Sequence, residues 1–328
     1  MKMSKSRITA IGSYVPEKRL TNVHLEKLVD TTDEWIIQRT GIKERRIAGE
    51  NEFASDLAYK AVRNMMERYH ASIGDVDMII VCTMTPDFKM PSVASLVQAK
   101  LGIQNAGALD LNAACAGFTY GLHMANGLIT SGLHKKILVI GAETMSKVID
   151  YEDRSTCILF GDGGGAVLVE LDETHPGFLS SYLGSEGEKG KNLYCSNFSA
   201  SMFAEDIIKN DKIVQNGREV YRWAVTTVPR GIKQVLENSS MSLSDVDWFV
   251  PHSANLRMIE SICKKVHFPI EKTLYSLVDY GNTSSATIPL SIDKAVLEGK
   301  LKNGDKMLLY GFGGGLAHAG VLINWSVS

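Results

Sequence analysis

The chain has few of the features that mark a secreted, membrane-bound or nucleic-acid-binding protein. It has only five cysteines, at 82, 115, 157, 195 and 263, an odd number with no CxxC spacing. That pattern argues against a disulfide or zinc framework and predicts a reducing, cytoplasmic compartment. Long apolar runs are missing: Met78 to Cys82 and Ile137 to Ala142 have only the length of a strand. The basic N-terminus leads into nothing longer than Ile8-Thr9-Ala10-Ile11, so no signal peptide or membrane span is expected. Charge of one sign is missing too. Against 37 Asp and Glu stand 35 Lys and Arg, which leaves no overall field for nucleic acid or an anionic membrane.

What is present is an ample apolar fraction, 45% over 328 residues, more than one core usually holds. Two domains or a duplicated one are expected, and a repeat supports duplication. An amphipathic helix over 53–69, Asp75-Val76-Asp77 and the strand Met78-Ile79-Ile80-Val81 reappear as a helix over 219–237, Asp245-Val246-Asp247 and Trp248-Phe249-Val250. The spacing is 170 residues (248 less 78), and it also carries Lys136 to Gly141 onto Lys306 to Gly311 (306 less 136). The first copy has an insertion near 144–159. Strands alternating with helices predict an α/β layer with a mostly parallel sheet in each half. The halves divide near Thr174-His175-Pro176-Gly177, giving 1–175 and 176–328.

Within the first half, Gly107-Ala108-Leu109-Asp110-Leu111 reads as a short buried strand, and Phe118, Leu122, Ala125 and Ile129 repeat at helical spacing. Cys115 lies between them, at a strand-to-helix turn. Free N–H groups and the helix dipole at such a turn lower a thiol's pKa and make it nucleophilic, whereas a cysteine among alanines can equally be a small buried hydrophobe. The repeat sets Ser285 opposite Cys115, so one composite site between the halves is expected. His252 follows a strand, where α/β sheets place functional side chains, or it is a loop hydrogen-bonder. Asn282 is a second candidate, or a turn residue. Gly313-Gly314-Gly315 has no following Lys and Ser/Thr, as a nucleotide-binding loop would require. Upstream, Asn22 reads as the cap of a helix through Leu25, Leu28 and Val29. Trp35 and Arg39, four apart, share one helical face and suit either a surface cation–π pair or an adenine ring with its phosphates.

Four motifs then carry a resemblance over nearly the whole chain: Ala114-Cys115-Ala116-Gly117-Phe118, Pro251-His252-Ser253-Ala254-Asn255-Leu256-Arg257, Gly281-Asn282-Thr283-Ser284 and Phe312-Gly313-Gly314-Gly315. With Thr32-Asp33-Glu34-Trp35-Ile36 and Arg39-Thr40-Gly41-Ile42, they resemble β-ketoacyl-acyl carrier protein synthase III. The resemblance implies the thiolase-like fold, an α/β fold whose duplicated halves pack in five layers (αβαβα), and a homodimer. It implies condensation of an acyl-CoA starter with malonyl-acyl carrier protein at the start of fatty-acid synthesis, with no metal and no resident cofactor, since acyl-CoA is a substrate. Cys115 would be the acylated nucleophile, His252 and Asn282 the donors to the malonyl thioester carbonyl, and the N–H groups of Cys115 and Gly314 a second oxyanion hole, the missing Cβ of Gly314 permitting close approach. Trp35, Arg39, Arg154 and Asn255 resemble coenzyme A contacts. Met90, Met145, Phe160 and Phe312 resemble the acyl-pocket wall, Met90 reaching in from a partner subunit. Arg222, Arg257, Lys264 and Lys265 resemble the carrier-protein docking surface. Two departures stand out: Ser253 where many members have Gln, and Met90 where many have Phe, which leans the pocket towards branched short chains. The rival readings are a thiolase or hydroxymethylglutaryl-CoA synthase, a polyketide- or quinolone-type starter enzyme, and a non-catalytic carrier-binding paralogue. Residues 311 to 320 hold no cysteine, which counts against a thiolase.

Overall fold

The computed structural model describes residues 4–327 and contains two principal β-sheets. In the first half come β1 (Ser6–Tyr14), α1 (Asp33–Thr40), α2 (Ala54–Tyr69), β2 (Met78–Cys82), α3 (Val93–Leu101), β3 (Gly107–Leu111), α4 (Gly117–Thr130), β4 (Lys136–Thr144) and β5 (Asp162–Leu171). Their sheet runs β1-β5-β4-β2-β3. In the second half follow β6 (Phe178–Ser185), α5 (Gly217–Ser239), β7 (Trp248–Pro251), α6 (Leu256–Val266), α7 (Thr287–Leu297), β8 (Lys306–Gly313) and β9 (Ala317–Asn324). These strands run β7-β8-β9-β6, the same order with the β3 equivalent reduced to one bridge between Phe249 and Thr273.

The sheets are mixed, not mostly parallel. Pairings of β2 with β3 and β4, and of β7 with β8, are parallel, while β5 and β9 run antiparallel to both neighbours. The reason lies in the connections. No crossover helix spans the sheet between β4 and β5, and only the glycine turn joins β8 to β9, so each chain returns beside the strand it has just left.

Helices α4 and α7 lie between the sheets, each touching strands of both. A helix sandwiched in this way must be apolar nearly all round. Accordingly, α7 buries Ile288, Pro289, Leu290, Ile292 and Ala295 together with Thr287, Ser291 and Asp293. Helices α2 and α3 cover the outer face of the first sheet, and α5 and α6 that of the second, completing five layers. Two local expectations fail. β3 is the outermost strand of its sheet, so Gly107 is exposed and its other residues are only half-buried. Asn22 is not a cap: Thr21 holds that position, the helix stops at Leu25, and the buried Asn22 amide donates to Asp33 Oδ1 and Ile42 O and accepts from Arg45. The buried guanidinium of Arg45 recruits it, bonding also to Ile158 O, and burial lowers that guanidinium to about 10.

The duplicated halves meet at two equivalent glycines. A Cβ on Gly141 of β4 would lie 2.6 Å from Ser285 O, and one on Gly311 of β8 would lie 2.8 Å from Ala116 Cα. Each strand thus lets the other half's strand-to-helix turn rest on its backbone. Gly311→Ala is expected to cost about 1–3 kcal/mol of stability through overpacking. Gly127→Ala is the control, because nothing lies within 4 Å of that added Cβ and alanine favours the helix by up to about 1 kcal/mol. Urea unfolding midpoints check both, and an unchanged midpoint for Gly311→Ala contradicts the packing argument.

Candidate active site

Cys115 sits on a short 3₁₀ turn, Ala114–Ala116, between β3 and the start of α4 at Gly117. The turn is sharp because Ala114 takes a left-handed conformation at φ 44°, a region that costs a residue with a Cβ of order 1–3 kcal/mol. The thiol is 6% exposed. Its ionisation is opposed: burial pushes it up to about 11, the Ser284 hydroxyl pulls it back, the Glu143 charge adds to the rise, and the N–H groups of Gly314 and Cys115 itself pull it back again. The expected lowering at a helix start is therefore overridden by desolvation. The glycine whose missing side chain admits Cys115 is Gly313, not Gly314. A Cβ there would lie 2.7 Å from Cys115 Cβ, whereas one on Gly314 would meet Ala114 Cβ at 3.2 Å.

His252 follows β7 directly and is 1% exposed. Its N–H donates to Tyr310 O at 2.8 Å, its Nδ1 lies 2.8 Å from Thr287 Oγ1, and its ring meets Phe312 edge-on at 5.3 Å. Burial drives the imidazole down to about 3, a Ser284 backbone contact only partly opposing it. The ring is therefore neutral. Asn282 is buried as well; its Oδ1 accepts the Ser284 N–H at 2.9 Å, which orients the amide and leaves its NH2 free to donate. Ser284 thus joins the site. Its N–H holds Asn282, and its carbonyl accepts the hydroxyl of Thr287 at 3.0 Å, the same hydroxyl that lies 2.8 Å from His252 Nδ1. Like Ala114, its counterpart in the first half, Ser284 is left-handed, at φ 50°.

One buried group escaped the sequence reading. Glu143, near the end of β4, is fully buried and accepts from Thr83, Met84 and Thr85 of its own half and from Ser284 and Ser285 of the other. Burial raises its carboxyl above the usual range against those hydrogen bonds. The signal was available, because Glu143 follows the apolar run Ile137 to Ala142 within one strand.

Trp35 has two guanidinium groups near its ring, Arg154 at 4.4 Å and Arg39 at 5.8 Å from the ring centre. Asn255 donates to Arg39 O at 3.2 Å while its Oδ1 caps α6 through Arg257 N. Met145 and Phe160 share one buried cluster that Trp35 adjoins, whereas Phe312 belongs to another, against His252. Met90 stands apart, 84% exposed. Arg222, Arg257, Lys264 and Lys265 are exposed; Arg222 pairs with Glu219, Arg257 bonds Gln38 O at 2.7 Å and Glu260 at 2.9 Å, and the two lysines close the last turn of α6. Among the described residues, no group of three or more His, Cys, Asp or Glu could hold a metal ion.

The depressed His252 has a consequence for stability. Between its ordinary value of 6.5 and about 3, the unfolded chain binds a proton that the native ring refuses. Stability therefore falls as pH drops through that window. Urea titrations from pH 7 to about 5 are expected to show a shallower loss for His252→Ala than for the parent; identical slopes contradict a neutral buried ring.

Residues 109–187 match the family model described as 3-oxoacyl-[acyl-carrier-protein (ACP)] synthase III, and residues 236–325 match the model of its C-terminal part. The chain is 69% identical over 327 residues to a β-ketoacyl-[acyl-carrier-protein] synthase III 2 of Halalkalibacterium halodurans, covering 100% of this chain and 98% of that protein. A solved β-ketoacyl-[acyl carrier protein] synthase III of Thermus thermophilus superposes with a TM-score of 0.94 at 42% identity, over 97% of this chain and 99% of that one. A priming β-ketosynthase of the R1128 polyketide pathway superposes with a TM-score of 0.91 at 35% identity, over 98% and 96%.

Proposed function

The chain belongs to the β-ketoacyl-[acyl carrier protein] synthase III family, and on that premise we propose which residues carry its reaction and how. It is an acyltransferase, the initiating condensing enzyme of fatty-acid synthesis, using acyl-CoA and malonyl-acyl carrier protein. In the first half-reaction Cys115 attacks the acyl-CoA thioester, the N–H groups of Cys115 and Gly314 hold the developing oxyanion, and coenzyme A leaves. In the second, His252 and Asn282 donate to the carbonyl of the malonyl thioester. Loss of carbon dioxide leaves an enolate, which two neutral donors stabilise in a dry site without adding charge. Its carbon then attacks acyl-Cys115. For this, His252 must carry its proton on Nε2, which requires the Thr287 hydroxyl, 2.8 Å from Nδ1 and 3.0 Å from Ser284 O, to turn its one proton to the ring. The observation that carries this reading is that the turn bearing Cys115 packs against the turn Ser284–Ala286, where the Ser284 N–H holds Asn282 and the adjoining Thr287 hydroxyl meets His252.

The first half, 1–175, supplies the nucleophile and the second, 176–328, the two donors. Trp35 between Arg39 and Arg154 suits the adenine and phosphates of coenzyme A, with Asn255 fixing the Arg39 backbone. Met145, Phe160 and Phe312 form the near wall of the acyl pocket. Met90 completes it from a second copy in a homodimer; its own chain leaves it exposed. Arg222, Arg257, Lys264 and Lys265 dock the carrier protein. Arg257 also ties α6 to α1, so its loss is expected to weaken acylation by acyl-CoA as well as docking. All five cysteines are free, which fits work in the reducing cytoplasm. The likeness to a polyketide-priming enzyme keeps a specialised starter pathway as the second reading, separable by the range of acyl-CoAs accepted.

Cys115→Ala is expected to abolish acyl transfer and leave the fold intact, while His252→Ala and Asn282→Ala still take up an acyl group but release carbon dioxide about 100- to 1,000-fold more slowly. Mass spectrometry of the acyl-enzyme and a carbon dioxide assay read the two steps, and full condensation by Cys115→Ala rejects the nucleophile. Met90→Phe is expected to shift preference towards acetyl over branched starters by at most about 10- to 200-fold. An unchanged acyl-CoA profile removes Met90 from the pocket.

A further inference from the structure

We propose that Glu143 is a positioning residue for decarboxylation: through the Ser284 hydroxyl it fixes the turn that aims the Asn282 amide at the malonyl thioester. The inference rests on Asn282 being one of the two donors to that thioester. A donor raises the rate only if it already points where charge will develop, so the group that holds its side chain counts as much as the donor itself.

The backbone of Asn282 is pinned to the first half, its N–H donating to Leu159 O at 2.8 Å and its carbonyl accepting from Gly161 N at 3.0 Å. Its side chain is held more lightly. Among the described residues one hydrogen bond orients the amide, from Ser284 N to Asn282 Oδ1 at 2.9 Å. That bond keeps its direction only while the Ser284 turn stays in place.

Glu143 holds the turn there. Its carboxyl is wholly buried and bridges the two halves. Oε2 is anchored in the first half by Thr83 Oγ1, Met84 N and Thr85 N at 3.1 Å each and by Thr85 Oγ1 at 2.6 Å. Oε1, besides a longer contact from Met84 N, faces the second half, with Ser284 Oγ at 3.1 Å and Ser285 Oγ at 3.0 Å. Ser285 donates in turn to Cys82 O at 2.7 Å, at the end of β2. The clamp holds in either protonation state. Burial favours the protonated carboxyl; in that form Oε1–H donates to Ser285 Oγ, whose own proton is spent on Cys82 O, and the Ser284 hydroxyl still donates to the carboxyl.

The repeat shows the same strand position put to two uses. The spacing of 170 carries Glu143 onto Gly313 (143 plus 170) and Ala114 onto Ser284 (114 plus 170). At Gly313 of β8 the missing side chain leaves room for Cys115, and the nucleophile's turn rests against bare backbone. At Glu143 of β4 a carboxyl fills the place and grips the opposite turn by its hydroxyls.

Ser284→Ala removes the hydroxyl but keeps the N–H that holds Asn282, and alanine already occupies the equivalent left-handed position at Ala114. Glu143→Ala removes the clamp, whereas Glu143→Gln keeps an acceptor for the first half and an amide N–H for Ser285. Two rates are read in each variant. Acylation of Cys115 by isobutyryl-CoA is timed by quenched-flow mass spectrometry, and carbon dioxide release is followed from malonyl-acyl carrier protein on enzyme first acylated to completion. Ser284→Ala and Glu143→Ala are expected to slow carbon dioxide release at saturation about 10- to 100-fold, with acylation and the Michaelis constant for the carrier substrate changed by less than about threefold. The double variant is expected to be no slower than Glu143→Ala, because the two residues act as one unit. Glu143→Gln is expected to recover most of the loss.

Carbon dioxide release from Ser284→Ala at the parent rate overturns the proposal, whether or not Glu143→Ala folds. An equal loss in both half-reactions also overturns it, leaving the clamp a structural feature. Losses that multiply in the double variant, or a Glu143→Gln as slow as Glu143→Ala, overturn it as well. Parent-rate release from Asn282→Ala removes the donor itself, and the proposal falls with it.

Discussion

The site depends on one backbone constraint, the left-handed turn at Ser284. With φ at 50°, it presents its hydroxyl, N–H and carbonyl in three directions at once, towards Glu143, Asn282 and Thr287. An extended or helical residue there could not hold these partners together. The strain is of order 1–3 kcal/mol for a residue with a Cβ, and it is borne by a turn whose neighbours are buried on every side. Ala114 repeats the conformation at the equivalent place, so duplication produced two copies of one strained turn. One delivers the nucleophile and the other organises its partners.

Burial then decides the charge state. Cys115 is pushed up to about 11 and His252 down to about 3, so both are neutral in the resting site. A preformed thiolate–imidazolium pair would pay for desolvating two ions. A neutral thiol and a neutral imidazole instead offer hydrogen-bond donors where charge develops. The close contacts at Gly141, Gly311 and Gly313 matter for the same reason, because they bring backbone where a side chain or water would otherwise intervene.

Much of this was legible in the sequence. The repeat forecast two halves of like topology, and the order β1-β5-β4-β2 is repeated as β6-β9-β8-β7. Cys115, His252 and Asn282 stood out because each falls after a strand or at a duplicated turn. Other features were hidden because they depend on tertiary surroundings. Whether Gly107–Leu111 is central or at an edge depends on which strands pair, not on its own residues. The direction of β5 depends on how the 144–161 excursion returns. Asn22 was read by its local propensity for capping, but a buried arginine distant from the helix start claims it. The turn geometry that lowers a thiol's pKa is legible in the sequence, whereas the burial that raises it is set by the other half. Glu143 was passed over as one charge among many, although its place in an apolar strand set it apart.

The central claim is that the site rests neutral, its nucleophile held as a buried thiol. The direct measurement is the rate at which iodoacetamide alkylates Cys115 as a function of pH, followed by mass spectrometry of the Cys115 peptide. The account predicts a rate that still climbs beyond pH 9, the ordinary cysteine value, towards a midpoint of about 11. A plateau reached below about pH 7.5, as for thiolates held by a cation or a helix N-terminus, would contradict it.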